Sequence, residues 1–104
     1  MNIQIMIFYV DIDETICYYK NEREYNKAIP YYKRIEKINK LYEQENTIVY
    51  WTARGSLSNV NYYNLTISQL NNWGCKFHEL RMGKPVYDIF IDDKNINSET
   101  YFNK

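Results

Sequence analysis

The sequence predicts an α/β fold built on a small doubly wound parallel sheet with flanking helices. Three short apolar runs, residues 4–10, Thr47–Trp51 and residues 87–91, are nearly continuous rather than alternating, which is typical of strands buried on both faces. Two segments of helical periodicity separate these runs. The resulting order of strand, helix, strand, helix, strand predicts parallel βαβ units.

The two predicted helices each carry a stripe of apolar side chains. The first, residues 30–45, repeats them at helical spacing at Tyr31, Ile35, Ile38 and Tyr42. The second, residues 61–73, does so at Tyr63, Ile67, Leu70 and Trp73. Pro30 suits the first turn of the first helix, and Gly74 stands where a left-handed cap would end the second.

The remaining segments predict shorter elements. Residues 75–80 are expected to form a short further strand. Residues 14–29 are polar and lack helical periodicity, which predicts a small hairpin flap next to the first strand. No other segment is long enough for a separate cap domain, so residues 1–104 are expected to form one domain of a size that buries roughly two thirds of its unfolded surface.

Charge and cysteine content limit the kinds of binding partner and the cellular compartment that are expected. Thirteen basic and thirteen acidic residues cancel, so no net field favours nucleic acid or an anionic membrane, and neither partner is expected. The apolar run of residues 4–10 is too short to span a bilayer. Cys17 and Cys75 lack metal-ligand spacing and are expected to pack as small apolar residues in a reduced, cytoplasmic compartment.

Carboxylates directly follow two of the predicted strands. Asp11 and Asp13 follow the first, and Asp92 and Asp93 follow the last. Residues two apart in an extended chain point to the same side, so Asp11 and Asp13 can converge on one ligand. Open α/β sheets bind ligands beyond the carboxyl ends of their strands, so the two pairs are expected to be neighbours in space. Such a group of carboxylates suits Mg²⁺, which takes oxygen ligands.

Two further residues complete the set that phosphoryl transfer needs. A phosphate monoester repels an anionic nucleophile, so its site requires a cation, hydrogen-bond donors and a positioned attacking group. Thr52 ends the second strand, where its hydroxyl and the N–H of Ala53 can grip a phosphoryl oxygen. Lys84 offers a positive charge just before the last strand. Together with the carboxylates, these residues predict a magnesium-dependent phosphotransfer site.

Other side chains allow more than one interpretation. Arg54 either contacts the substrate through its planar guanidinium or is a solvated loop charge. His78, the only histidine, has no paired ligand, so packing or hydrogen bonding is favoured over catalysis. Lys76 and Lys94 are nearby alternatives to Lys84.

These pieces, in this order, resemble the haloacid dehalogenase superfamily of aspartyl-phosphate phosphatases. The matching motifs are Asp11-Ile12-Asp13-Glu14-Thr15, Ile48-Val49-Tyr50-Trp51-Thr52, Lys84 and Asp92-Asp93. The resemblance covers essentially the whole chain. One departure is Glu14, where many relatives carry Gly at a sharp turn. The stretch from Trp51 to Pro85 is also similar to short, capless phosphatases of capsule and surface-polysaccharide synthesis, and more distantly to the phosphatase half of polynucleotide kinase phosphatases.

The resemblance implies a role for each motif residue. Asp11 would be the nucleophile, and Asp13 would protonate the leaving oxygen and then activate water. Mg²⁺ would be held by Asp11, the backbone carbonyl of Asp13 and Asp92, with Asp93 acting through water or orienting the ligands. The phosphoryl group would be bound by the two remaining motif residues, Thr52 and Lys84.

The expected activity is therefore hydrolysis of a small phosphomonoester, such as a sugar, polyol or amino-alcohol phosphate, with Mg²⁺ as cofactor. Two alternatives stay open. One is a polynucleotide end phosphatase, which the neutral charge disfavours because backbone binding relies on Lys and Arg. The other is a non-catalytic binding module that keeps the fold. Because no cap excludes water from the site, a homo-oligomer that supplies a wall from a neighbouring subunit is also expected.

Overall fold

Three parallel strands form the main sheet of this α/β fold. The computed structural model describes residues 5–103, so the predicted start of the first strand at Gln4 lies outside the described residues. In chain order the elements are β1 (Ile7–Val10), β2 (Cys17–Tyr18), a 3-10 turn (Tyr25–Lys27), β3 (Ile29–Pro30), α1 (Tyr32–Glu43), β4 (Thr47–Trp51), α2 (Tyr63–Asn72), β5 (Glu79–Arg81) and α3 (Ser98–Phe102). The sheet order is β1-β4-β5, and both pairings are parallel.

The register of the sheet brings the ends of β1 and β4 to the same level. Ile7 pairs with Thr47 and Val10 with Tyr50, so the residues that follow these strands emerge side by side. The core beneath them is made of fully buried side chains from β4, α2 and the turn after β1, including Ile12, Ile16, Ile48, Tyr50 and Leu70.

The third strand of the sheet differs from the prediction. Residues 87–91 form no strand, and Ile89 and Ile91 are 78% and 92% exposed. The third strand is instead β5, which pairs with β4 and partly confirms the short further strand predicted at residues 75–80. The reason is connectivity: the Lys84 N–H donates to the Thr52 carbonyl at 3.1 Å, which holds Lys84 at the carboxyl end of β4. A parallel strand needs a crossover of about a dozen residues, and only two residues separate Lys84 from Tyr87.

Helix α1 confirms the first predicted helix, with a later start. Ile35 and Ile38 are buried and the helix packs against β4, as the apolar spacing predicted. Pro30 is not in the first turn of this helix. It pairs with Cys17 in the small antiparallel sheet of β2 and β3, which confirms a hairpin in the segment after β1.

Helix α2 confirms the second predicted helix, and its predicted apolar face is confirmed at Leu70, which is buried, and at Trp73, which packs against the core. Its buried residues are Thr66 and Leu70, whereas Tyr63 is exposed. Gly74 has a φ of +75°, and the N–H groups of Gly74 and Cys75 donate to the carbonyls of Asn71 and Leu70. These two bonds form a Schellman motif, so the left-handed cap predicted at Gly74 is confirmed.

The turn after β1 is as sharp as the motif resemblance implied. Glu14 has a φ of +63°, in the left-handed region that glycine adopts most easily. Its N–H donates to the Cys17 carbonyl at 2.9 Å, which closes the turn into the hairpin. Within residues 5–103, no helix combines the length and apolar character needed to cross a membrane.

Two glycines with positive φ differ in the space around them, which gives a matched test of the fold. A Cβ at Gly55 (φ +83°) would lie 2.1 Å from the Val60 carbonyl oxygen, whereas a Cβ at Gly74 would meet nothing within 4 Å. We expect Gly74→Ala to lower the free energy of unfolding by about 1–2 kcal/mol, the cost of a left-handed backbone for an L residue. Gly55→Ala should cost more, because the Val60 backbone must also move. Equal losses in denaturant titrations would contradict this account.

Candidate active site

Three of the predicted site residues meet at the carboxyl edge of the sheet. Asp11 follows β1 and Thr52 follows β4, and these strands are adjacent. The Lys84 Nζ lies 3.3 Å from Asp11 Oδ1, and the Thr15 hydroxyl donates to Asp11 Oδ2 at 3.2 Å. The Asp11 side chain nevertheless remains 37% exposed. The edge therefore presents an accessible carboxylate whose charge is partly balanced by a lysine.

Lys84 is held in place by more than its ion pair. Its side chain is mostly buried, and its ammonium group lies 5.7 Å from the centre of the Trp51 ring and 5.6 Å from that of Tyr87. Ammonium groups at such distances are attracted by the faces of aromatic rings. Lys76, one of the alternatives, instead pairs with Glu43 on the surface at 3.1 Å. The lysine beside Asp11 is thus the one that the motif order indicated.

The loop after β4 leaves the backbone donor next to Thr52 available. The Thr52 hydroxyl accepts a hydrogen bond from the Arg54 N–H at 3.2 Å. The N–H of Ala53 donates to no acceptor among residues 5–103. It lies directly after Thr52, so it can bind an added oxyanion as the sequence predicted.

Asp13 and Arg54 form a buried ion pair. Arg54 Nε donates to Asp13 Oδ2 at 3.0 Å and Nη2 donates to Oδ1 at 2.9 Å, the bidentate geometry that a guanidinium gives with a carboxylate. The Arg54 side chain is 0% exposed and that of Asp13 is 10% exposed. The interpretation of Arg54 as a solvated loop charge is therefore wrong.

The guanidinium of Arg54 is fully occupied. Beyond Asp13, Nη1 donates to Thr66 Oγ1 at 3.1 Å and to Gln69 Oε1 at 2.6 Å, and Nη2 approaches the Tyr19 hydroxyl at 3.4 Å. These contacts engage all five N–H groups of the fork. A direct contact between Arg54 and the substrate stays a prediction, and it requires one of these bonds to break.

The same network sets the protonation of Asp13. Burial alone would raise the pKa of this carboxyl, but the hydrogen bonds and charge of Arg54 outweigh burial, with further hydrogen bonds from Tyr19 and Cys17. The pKa is therefore lowered from its ordinary value of 3.8. Asp13 is ionised at neutral pH, so in this arrangement it can accept a proton but has none to donate. Its predicted role as the acid needs the pair with Arg54 to open.

Four residues of this network were not singled out from the sequence. They are Tyr19, Tyr25, Thr66 and Gln69, and the Tyr25 ring lies 4.8 Å from the Arg54 guanidinium carbon. Thr66 and Gln69 lie three residues apart on α2, beside the buried Leu70. Polar side chains at helical spacing on an apolar face were the signal that could have revealed them. The two tyrosines lie in the aperiodic segment after β1 and offered no such signal.

Asp92 and Asp93 are not brought to the site within one chain. Both are exposed, and the Asp93 N–H donates to Asp92 Oδ1 at 2.8 Å. Among residues 5–103, no three acidic, imidazole or thiol groups are placed so that they could hold one metal ion. The described residues of a single chain therefore do not gather Asp11, Asp92 and Asp93 into one ligand group, and the metal-binding role of Asp11, Asp13, Asp92 and Asp93 stays a prediction.

The residues expected to be structural have structural contacts. His78 Nδ1 accepts from the Ile48 N–H at 3.1 Å, and the ring packs against Tyr42. Cys17 and Cys75 are buried and unbridged, and burial raises the pKa of each thiol to about 12. At neutral pH these thiols are protonated and unreactive.

An open hollow of about 520 Å³ lies beside the site. Its walls come from the loop between β4 and α2 and from the segment before Lys84. They include Gly55, Asn61, Tyr62, Met82 and Gly83. Its volume falls in the range of small-molecule sites in proteins, about 300–1,000 Å³.

The ion pair makes a strong prediction for stability. Arg54→Met should lower the free energy of unfolding by about 3–5 kcal/mol, because it leaves the Asp13 carboxylate buried without a partner. The matched control is Arg81→Met, which breaks the exposed pair between Arg81 Nε and Glu79 at 2.8 Å. That change should cost less than about 1 kcal/mol. Similar losses for the two variants in urea titrations would rule out a stabilising role for the buried pair.

The lowered pKa of Asp13 predicts a pH dependence. Because the folded pKa lies below the unfolded value, the ionised carboxylate contributes stability above about pH 5 that is lost as the pH falls through the folded pKa. Wild-type protein should therefore exceed Asp13→Asn in unfolding free energy at neutral pH, and the difference should shrink as the pH is lowered below the ordinary pKa of 3.8. Denaturant titrations of both proteins across this range measure it, and a difference that does not change with pH would contradict it.

Comparison with known proteins supports the fold. No family model and no curated protein sequence matches this chain. The crystal structure of a protein from Vibrio cholerae, identified only as an MCSG target, is similar to it with a TM-score of 0.84 at 21% sequence identity. The similarity covers 96% of this chain and 89% of the other. At this level of identity the comparison shows the fold alone: a three-stranded parallel sheet flanked by helices, in a small Rossmann-like α/β arrangement.

Proposed function

We propose that this chain is a Mg²⁺-dependent phosphatase that hydrolyses a small phosphomonoester through an aspartyl-phosphate on Asp11. The observation that carries the proposal is the setting of Asp11. Its carboxylate is accessible at the carboxyl end of β1, with Lys84 Nζ 3.3 Å from one oxygen and the Thr15 hydroxyl on the other. A carboxylate in this position can reach a phosphorus atom while a cation reduces its repulsion from the phosphoryl oxygens.

The reaction would proceed in two displacements. In the first, an oxygen of Asp11 bonds to phosphorus while the bond to the leaving oxygen breaks, and that oxygen departs as an alcohol after taking up a proton from solvent water or from Asp13 once that carboxyl has left Arg54 and been protonated. In the second, water attacks the phosphorus of the aspartyl-phosphate, loses a proton and releases inorganic phosphate and free Asp11. Lys84 and the N–H of Ala53 would bind the phosphoryl oxygens through both steps.

Because Asp13 is ionised, it suits the role of base in the second step better than the role of acid in the first. As a carboxylate held by Arg54, it can take the proton of the attacking water. To donate a proton in the first step, it would have to leave the guanidinium. The Tyr19 hydroxyl of the hairpin also bonds to Asp13, so movement of the hairpin would accompany that change.

Mg²⁺ would supply further positive charge at the phosphoryl oxygens. One chain alone does not assemble its ligands, so the steps above are assigned to protein residues only. The hollow beside the site, whose lining residues include Asn61 and Tyr62, is large enough for a small polar leaving group.

Phosphate release from a panel of sugar, polyol, amino-alcohol and nucleotide monophosphates tests the proposal. We expect activity that depends on Mg²⁺ and falls by at least about 10³-fold in Asp11→Asn, which removes the nucleophile but nearly keeps its shape. Lys84→Met should lose about 10²-fold or more, as expected for loss of one charged group at a phosphoryl oxygen.

Glu36→Gln, an exposed carboxylate change on α1, is the control and should leave the rate unchanged. Activity that survives in Asp11→Asn would refute the covalent mechanism. Release only from the 3′ or 5′ phosphate of an oligonucleotide, with silence on the panel, would assign the site to nucleic-acid ends instead.

A further inference from the structure

The segment between Lys84 and α3, residues 85–97, is here named the arm, and its first half is exposed and apolar. Residues 86–91 contain five large apolar side chains in six positions, all of them exposed: Val86, Tyr87, Ile89, Phe90 and Ile91. Aromatic and β-branched residues in a row favour a strand. Soluble proteins rarely leave such a patch uncovered when alone.

The outer edge of β1 is unpaired, and apolar side chains on one face of this part of the chain are exposed. Within residues 5–103, β1 pairs with β4 on one side and with no strand on the other. Ile5, Ile7 and Tyr9, at alternate positions, are exposed. An unpaired, apolar strand edge is a template for pairing with another strand. The chain therefore contains both an unpaired strand sequence and an unpaired strand edge.

Both ends of the arm are anchored to its own chain. At one end, Lys84 is fixed beside Asp11, and the Tyr87 ring lies 5.6 Å from the Lys84 ammonium group. At the other end, Glu99 of α3 pairs with Arg34 at 3.0 Å, and Lys37 donates to the Tyr101 carbonyl. The arm therefore begins at the carboxyl edge of the sheet.

This starting point prevents the arm from completing the site of its own chain. A four-residue strand such as β1 is about 13 Å long, and the three steps from Lys84 to Tyr87 span at most about 10 Å. Residues 87–91 cannot return to the amino end of β1 and then run parallel to it. If they paired with β1 in the antiparallel direction, they would carry Asp92 toward the amino end, away from Asp11.

A second copy removes this obstacle. In a dimer whose two-fold axis is perpendicular to the strands, the carboxyl edge of one sheet lies at the level of the amino edge of the other. The partner's arm then starts beside the amino end of β1 and runs parallel to it without any crossover. The lengths agree, because Asp11 directly follows β1 and Asp92 directly follows the apolar run 86–91.

We propose that two copies of this chain exchange arms, so that residues 87–91 of each copy add a parallel strand to β1 of the other and deliver Asp92 and Asp93 beside the other copy's Asp11. The evidence for the strand exchange is the unpaired edge of β1, the exposed arm and the short connection between Lys84 and Tyr87. The consequence for metal binding rests on the proposed function. The exchange would bring Asp92 of one copy next to Asp11 of the other. These two side chains supply carboxylate oxygens, which Mg²⁺ takes as ligands, so the dimer would form the ligand group that one chain alone does not form.

The exchange is tested without reference to activity by cysteine cross-linking. Pairing that aligns Asp11 with Asp92 places Tyr9 of one copy opposite Phe90 of the other, so Tyr9→Cys/Phe90→Cys should form an intermolecular disulfide under mild oxidation. The native thiols are buried, so the background is low. Non-reducing electrophoresis should show a covalent dimer, and sedimentation of the wild-type chain at micromolar concentration should give a dimer mass.

A charged side chain in the arm should separate the copies. Ile89→Asp is expected to give a monomer, whereas Leu57→Asp, an equally exposed apolar position outside the arm, should remain a dimer. A disulfide within one chain, a wild-type monomer, or a dimer that forms no cross-link would each overturn the exchange.

Complementation then links the exchange to the site. Asp11→Asn and Asp92→Asn should each be inactive alone, and refolded as a mixture they should recover about a quarter of the wild-type rate, because one site in each heterodimer contains both aspartates. If the mixture recovers no activity, although each variant is impaired alone and the cross-link still forms, then Asp92 does not act across the dimer. A cross-linked dimer with no phosphatase activity on any substrate would leave the exchange standing and refute the proposed function.

Discussion

The buried ion pair between Asp13 and Arg54 is the interaction on which the rest of the structure depends. Asp13 comes from the turn after β1 and Arg54 from the loop after β4, while Thr66 on α2 and Tyr19 in the hairpin complete the network. A buried charge without its partners is strongly destabilising, so each of these segments stabilises the position of the others. The network therefore links the four segments that meet at the carboxyl edge of the sheet.

The ion pair also gives different environments to two carboxylates that look equivalent in the sequence. Asp11 and Asp13 are two residues apart in the same motif, yet one is accessible beside a lysine and the other is enclosed by a guanidinium. Environment rather than residue type gives them different chemistry, which is the general way in which proteins divide roles between neighbouring acids. The exposed member is free to react, and the enclosed member is kept ionised.

The sequence was sufficient where structure is decided locally. The apolar spacing in α1, the continuous run of β4 and the glycine after α2 each depend on residues close together in the chain, and each was confirmed. Residues 87–91 have as strong a strand pattern as β4, but their pairing depends on the length of the connection from Lys84. Propensity does not encode that length.

Long-range contacts explain the other differences at the site. Nothing near Arg54 in the sequence indicates that Asp13, Thr66 and Gln69 surround it, since the nearest of these lies 12 residues away. A guanidinium in a polar loop is expected to be solvated, and only the assembled fold excludes water from it. By contrast, the contact between Lys84 and Asp11 was indicated by motif order, and the fold places both residues at one edge of the sheet.

The two residues between Lys84 and Tyr87 have a consequence for strand pairing. They connect Lys84 to the apolar strand sequence of the arm over a very short distance. The position of Lys84 therefore limits where that strand sequence can lie. An insertion of about ten residues at this point would give the chain the crossover that parallel pairing requires, and its own strand could then lie against β1. The length of one surface connection thus determines whether the strand sequence of the arm could pair with β1 of its own chain, and in the proposed exchange a longer connection would remove the need for a second copy.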